Sequence, residues 1–225
     1  MKNLNSLFFY FLLASVMISC GKDDDGPSNP AKVAFINACS DCPNLGLTID
    51  TLTTQFANFS YNSNTYLSVK SGSQKMQIAD QTKANIVFNG NSNFSSDKSY
   101  TVAITKTKAA PSAIQFEDVL PTVIDTNKTY VRLINLTSDG GNLSCNIEGE
   151  TSTIVSSLAQ NVATDFIPLN PGVKLQYKLA NSTKTYSVNI RNLAKNIVHT
   201  IYITGLVNET TGSKVITNGV FINKS

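Results

Sequence analysis

Val33-Ala34-Phe35-Ile36-Asn37 and, 98 residues later, Val131-Arg132-Leu133-Ile134-Asn135 read as two versions of one short β-strand. Both are rich in apolar and β-branched residues and stop at Asn, which favours turns. The match continues beyond the strand. Ser40-Asp41 and Asn44-Leu45 recur as Ser138-Asp139 and Asn142-Leu143 at the same offset. Tyr66-Leu67-Ser68-Val69 aligns with Phe166-Ile167-Pro168-Leu169, and Gly72 or Gly172 follows each after the same interval. Thr101-Val102-Ala103-Ile104-Thr105 aligns with Thr200-Ile201-Tyr202-Ile203-Thr204. Self-similarity at a nearly fixed period marks a tandem duplication. The copies span residues 31–123 and 126–225.

Within each copy, short alternating runs are separated by Asn, Ser, Gly, Asp and Pro, the pattern of an all-β sandwich or barrel. Eight strands are predicted per copy. In the first they fall near 33–37, 46–51, 55–59, 65–70, 74–79, 85–89, 99–106 and 113–119. In the second they fall near 130–135, 143–147, 152–156, 164–169, 174–180, 185–191, 199–206 and 214–222. About a hundred residues suit one sandwich, so two tandem β-sandwich domains are expected. The competing arrangement interleaves strands of both copies in one large sandwich or barrel. Period-2 alternation turns Val33, Phe35, Val131 and Leu133 inward, because Arg132 between the last two is expected to need water. Val102, Ile104, Ile201 and Ile203 are expected to line the opposite inner face. The few residues around Asp125-Thr126-Asn127 leave little slack, so the copies are expected to touch.

The N-terminus carries an address. Leu7 to Ile18 is a run of twelve mostly apolar residues. As a helix it would rise about 18 Å, well short of the roughly 30 Å hydrocarbon layer, which fits a signal-peptide core better than a membrane span. Met17-Ile18-Ser19-Cys20 resembles the lipobox of bacterial lipoproteins. That resemblance implies a signal peptide over 1–19 and a diacylated Cys20 that anchors the mature chain to a membrane. An ordinary signal peptide is the alternative. Gly21-Lys22-Asp23-Asp24-Asp25-Gly26-Pro27-Ser28-Asn29-Pro30 has too little apolar surface to pack, so 20–30 reads as a flexible tether. Its acidic run resembles the export signal of surface lipoproteins in one Gram-negative phylum. The expected location is the outer membrane, lipid-anchored and surface-exposed.

The turn after the first strand, Asn37-Ala38-Cys39-Ser40-Asp41-Cys42-Pro43, resembles the hallmark turn of the bacterial domain-of-unknown-function family 4397. Ala38, Asp41 and Pro43 fit that pattern, while Asn37 and Ser40 replace its His and Pro. The second copy keeps only Asp139, followed by Gly140-Gly141. The resemblance implies immunoglobulin-like β folds, often in tandem and often in lipoproteins, and brings no established activity. Asp41 and Asp139 read as turn formers whose carboxylates accept backbone N–H bonds.

Chemistry-bearing residues are sparse. His199 is the single histidine. It heads a predicted strand and aligns with Tyr100, which is not the setting of a catalytic base. Cys39 and Cys42 share a turn outside the reducing cytosol, so a local disulfide is expected, with two free thiols as the alternative. No catalytic residue and no metal set is expected, because one His and three further cysteines do not make a zinc site. Cys145 aligns with inward Leu47 and reads as a buried apolar residue. Glu117-Asp118 and Glu148/Glu150 read as solvated carboxylates. The chain has a net charge of +3 and only two arginines, Arg132 and Arg191, so nucleic acid is not an expected partner. No cofactor is expected. The reading is a non-enzymatic envelope lipoprotein that presents two sandwich modules to an unknown surface protein or glycan. The alternatives are a glycan-binding accessory protein, which needs a cleft with two or more exposed Tyr or Phe beside Asn or Asp, and a β-scaffold hydrolase, which needs an acid pair or a carboxylate against His199.

Overall fold

The computed structural model describes residues 29–42, 44–50, 52–80, 86–107, 110–122, 124–188, 193–212 and 214–223. The expected signal peptide over 1–19, Cys20 and the acidic run Asp23–Asp25 lie outside the described residues. Sixteen strands and no helix are found among those described. In residues 31–117 they are β1 (Ala31–Asn37), β2 (Asn44–Ile49), β3 (Leu52–Ser60), β4 (Asn64–Val69), β5 (Gly72–Asp80), β6 (Ile86–Phe94), β7 (Ser99–Thr107) and β8 (Ala110–Glu117). In residues 129–222 they are β9 (Thr129–Thr137), β10 (Leu143–Ile147), β11 (Thr153–Leu158), β12 (Ile167–Leu169), β13 (Leu175–Leu179), β14 (Thr185–Ser187), β15 (Val198–Gly205) and β16 (Thr217–Ile222). Each expected strand overlaps one of these.

The strands form two immunoglobulin-like sandwiches of matching topology. The first pairs a sheet ordered β4-β1-β7-β8 with one ordered β3-β2-β5-β6. The second pairs β12-β9-β15-β16 with β11-β10-β13-β14. In both, the first strand runs parallel to the seventh: Val33 registers with Tyr100, and Val131 with His199. Among the described residues no sheet mixes strands of the two halves, so the interleaved alternative does not describe this fold. The turns repeat as well. Asn62 and Asn161 adopt φ of 57° and 63° at equivalent corners, and their N–H groups donate to Asn37 O and Asn135 O at 2.8 and 2.7 Å. Asn tolerates this left-handed geometry better than most residues, which is why it recurs there.

Alternation places the cores. Val33, Phe35, Val102 and Ile104 fill the first sandwich with Leu45, Leu47, Met76 and Ile78. Val131, Leu133, Ile201 and Ile203 fill the second with Leu143, Cys145, Leu175 and Tyr177. The opposite faces of the same strands are not solvated. Ala34, Ile36, Ala38 and Ala103 pack against Ile134, Leu136, Tyr202 and Phe221 in a third core. The two first-strand sheets therefore lie back to back, and the molecule is four β-layers thick. Every residue of β9 and of β15 is buried. A buried Ile, Leu or Phe contributes about 1.5–3 kcal/mol, and a whole domain is stable by only about 5–15 kcal/mol. The five large side chains of the third core are thus comparable to the stability of one sandwich.

This packing overturns the expectation that Arg132 faces water. Arg132 is 2% exposed and bonds side chains of both sandwiches. Its Nη1 donates to Asp118 Oδ1 at 2.7 Å, so Asp118 is also not the solvated residue expected from the Glu117-Asp118 pair. Arg132 Nη2 donates to Thr101 Oγ1 and Thr200 Oγ1 at 2.9 and 3.0 Å, and Nε donates to Thr200 Oγ1 at 3.2 Å. Thr101 Oγ1 donates to the Asp118 carboxylate, with its two oxygens at 2.9 and 3.0 Å. Thr200 Oγ1 donates to Asn223 Oδ1 at 2.7 Å, and Asn223 Nδ2 returns to Asp118 Oδ2 at 3.1 Å. The ring is closed: each charge has its partner, which is what burial demands. A second set of bonds crosses the same boundary. Tyr202 Oη donates to Asn62 O at 3.1 Å, and Thr204 Oγ1 donates to Ala38 O at 3.2 Å.

Breaking the ring on one side strands a buried charge. Arg132→Ala and Asp118→Ala should each lower unfolding free energy by about 3–5 kcal/mol in urea titration. The double substitution Arg132→Met/Asp118→Leu should recover most of that loss, because an apolar pair leaves no charge unpaired. A loss in the double variant as large as the two single losses added together would show that the pair is not coupled.

Candidate functional site

The boundary between the two sandwiches opens to solvent beside β8. Phe116 and Phe166 line a groove of about 200 Å³, with Arg132 between them in the wall and Glu117, Val119, Thr164 and Asp165 at its edges. Topology explains the pair of rings. Phe116 lies opposite Thr101 in register, and Phe166 precedes β12 on the edge of the facing sheet. The Arg132 guanidinium carbon stands 4.9 Å from the Phe166 ring centroid, a cation–π contact. Val119 is 72% exposed, which is unusual for a large apolar residue beside a groove.

A second, polar cleft of about 550 Å³ lies on the other side of the segment 117–120. Asn29 and Pro30 form one wall, and Lys32, Asp97, Lys98 and Glu117 are among its lining. Asn29 Nδ2 donates to Asp97 Oδ1 at 2.8 Å, and Lys98 Nζ pairs with Glu117 Oε1 at 2.7 Å. Glu117 borders both cavities. Asp118 reaches the cleft and Arg132 the groove, so the buried ion pair is the partition between them. Burial pushes the Asp118 carboxyl above the ordinary carboxylate range, and Arg132, Thr101 and Asn223 pull it back only in part.

The turn between β1 and β2 is built differently. Cys39 and Cys42 are bridged, with Cα atoms 5.2 Å apart. Asn37 clamps the turn: its Nδ2 donates to Cys42 O and Phe59 O, each at 2.9 Å, and its Oδ1 accepts from Cys39 N–H at 3.1 Å. Asn135 repeats this, donating to Gly141 O and Leu158 O at 2.9 and 3.0 Å. Cys39, Asp41 and Cys42 bring three ligand-type atoms within 4.8 Å. The bridge removes both sulfurs from the thiolate form that binds metal. Asp41 is half-buried in this turn. Asp139 accepts a backbone N–H at 2.7 Å, but from Val207, 68 residues on, so it ties its turn to the β15–β16 loop. Asn208 Nδ2 adds a bond to its other oxygen at 3.3 Å.

His199 is 5% exposed, and neither ring nitrogen has a hydrogen-bond partner among the described residues. It therefore lacks the orienting acid that a triad base requires. Burial lowers its pKa below 6.5. Cys145 is a free, buried thiol whose pKa burial pushes up to about 12, so it is inert in the folded chain. Glu148 and Glu150 are exposed.

Sequence reasoning missed Phe116, Phe166, Asp165 and the Arg132 ring as one locality. The signal was present in part: Arg132 shares its strand face with Ile134 and Leu136, and a face with two large aliphatics is not a solvated one.

A protein-family model described as a domain of unknown function (DUF4397) matches residues 31–146. The chain belongs to the DUF4397 family. The matched span runs from β1 of the first sandwich into β10 of the second. No curated protein matches the chain. Among solved structures, a family 26 carbohydrate-binding module of Eubacterium rectale Amy13K in complex with maltoheptaose shares 10% identity over 86% of this chain and 98% of its own, with a TM-score of 0.28. A provisionally named cell adhesion protein from Bacteroides ovatus shares 9% identity over 88% of this chain and 96% of its own, with a TM-score of 0.27. A second such protein, from Bacteroides eggerthii, shares 9% over 87% and 96%, with a TM-score of 0.22.

Two measurements check this DUF4397 chain locally. Because the folded pKa of His199 is depressed, the unfolded chain takes up a proton first as pH falls. Stability should then decline from about pH 6.5 downward until the folded His199 also protonates. His199→Phe should flatten the slope of unfolding free energy between pH 7 and 5.5. Thiol titration of a denatured Cys20→Ala chain should find only Cys145 before reduction, with Cys39 and Cys42 appearing after it.

Proposed function

We propose that this chain is a non-enzymatic cell-envelope lipoprotein, held to the outer membrane by an acylated Cys20 and presenting its two sandwiches at the surface for binding or adhesion. In this reading residues 1–19 are the signal peptide, 20–30 the tether, and 31–123 and 126–225 the two modules. The supporting observation is the third core with its closed Arg132–Asp118 ring. It joins the modules into one stiff body and brings Phe116 and Phe166, from different modules, into one solvent-facing groove. A preformed groove on a rigid scaffold binds with less ordering cost than a flexible surface. The short linker supports the same picture, since Asn127 N–H donates to Asp125 Oδ1 at 2.8 Å and Lys128 N–H to Asp125 O at 2.9 Å. The bridge between Cys39 and Cys42 suits an oxidising exterior. An acyl anchor of several chains holds firmly, because each buried CH₂ contributes about 0.8 kcal/mol.

The test is Cys20→Ala in the full precursor. The variant should lose signal processing or leave the membrane fraction, while wild type fractionates with outer membrane and is trimmed by protease added to intact cells. A Cys20→Ala chain that is processed and membrane-bound like wild type would overturn the lipoprotein reading.

A further inference from the structure

The groove and the polar cleft are neighbours, divided only by Glu117-Asp118-Val119-Leu120. We propose that together they form one binding site for a neutral oligosaccharide, which lies across the Val119 ridge with one sugar ring against Phe116 and Phe166. This deepens the binding reading above and rests on it.

The chemistry of the two halves selects this ligand. A pyranose has an apolar C–H face and a rim of hydroxyls. Aromatic side chains recognise the first, and convergent polar groups recognise the second. The groove supplies two phenylalanine rings and the exposed Asp165. The cleft supplies Ser68, Asp97 and Lys98, and its volume falls within the roughly 300–1,000 Å³ of ordinary ligand pockets. Charge excludes an anionic ligand. Arg132 cannot fork onto a phosphate or carboxylate, because its three nitrogens already donate to Asp118, Thr101 and Thr200. Lys32 and Lys98 line the cleft with Asp97 and Glu117, and Asp165 lines the groove, so carboxylates outnumber the remaining cations. A polyanion would be repelled, whereas a neutral polyol uses both signs as hydrogen-bond donors and acceptors. Two cavities side by side fit a linear chain of several rings better than a monosaccharide.

The experiment uses the full mature acylated chain in a zwitterionic, sugar-free detergent. Isothermal titration is run against neutral linear hexasaccharides of glucose, mannose and xylose in both anomeric linkages. At least one should bind saturably in the micromolar to millimolar range. Val119→Arg, at an exposed position, should weaken it about tenfold or more by filling the groove, and Asp165→Ala should weaken it measurably, both with unchanged melting temperature. Phe166→Ala should abolish binding. A Lys75→Ala control, exposed and away from both cavities, should bind as wild type. Absence of saturable binding across the panel would overturn the proposal, as would binding indifferent to Val119→Arg and Asp165→Ala. Surface capture of a protein partner, unaffected by Val119→Arg and without sugar binding, would leave the surface-binding reading standing while removing the carbohydrate.

Discussion

Arg132 and Asp118 occupy a place where neither could survive alone. They lie between two apolar sheets, and an unpaired buried charge costs a large fraction of a domain's stability. Their closed ring therefore does more than hold the sheets together. Hydrophobic contact between two flat sheet faces is non-directional, and Ala34, Ile36, Ile134 and Leu136 alone would tolerate sliding. Any slip separates the guanidinium from the carboxylate. Only one docking of the two sandwiches keeps every polar atom of the ring satisfied, so the ring selects that docking from the many the apolar residues permit.

The ring also joins matching positions of the two sandwiches. Thr101 and Thr200 are equivalent, and Arg132 donates to both. Asp118 and Asn223 are equivalent too: their N–H groups bond Ser99 O and Val198 O at 2.7 and 2.9 Å, and their side chains bond each other. Equivalent residues that meet are the mark of an isologous, two-fold contact. Arg132 breaks the symmetry, because its counterpart is Ala34. One small side chain leaves room for one long one. Two arginines would crowd the interface and find a single carboxylate between them, since the partner of Asp118 is the neutral Asn223.

What the sequence made legible was whatever depends on alternation within a strand. Val33 and Phe35, or Ile201 and Ile203, declare their face because a sheet has two sides and a core has one composition. The repeated Asn37 and Asn135 were visible as a match, though their work, tying a turn carbonyl to one on β3 or β11, needs the third dimension. The turns themselves diverge, a bridge at Cys39 and Cys42 in one and Gly140-Gly141 in the other, while the clamp stays. Arg132 and Asp118 were misread because one charge was taken as evidence that its whole face is wet. The face is decided by its majority, Ile134 and Leu136 here, and a lone charge within it calls for a partner. Which outer face meets which cannot be read from one strand.

The same residues govern shape and access. Asp118 reaches the polar cleft, Arg132 forms the wall of the aromatic groove, and their bond is the partition between the two cavities. Phe166 is held in place by the guanidinium above it, and Phe116 packs against the third core from the opposite sandwich. Neither sandwich by itself owns the groove. Its geometry exists only while the docking exists, so occupancy of the groove and association of the sandwiches are thermodynamically linked: whatever binds the assembled groove and not the separated faces stabilises the assembly by mass action. Two sandwiches of matching topology thereby acquire at their joint a surface that neither has alone.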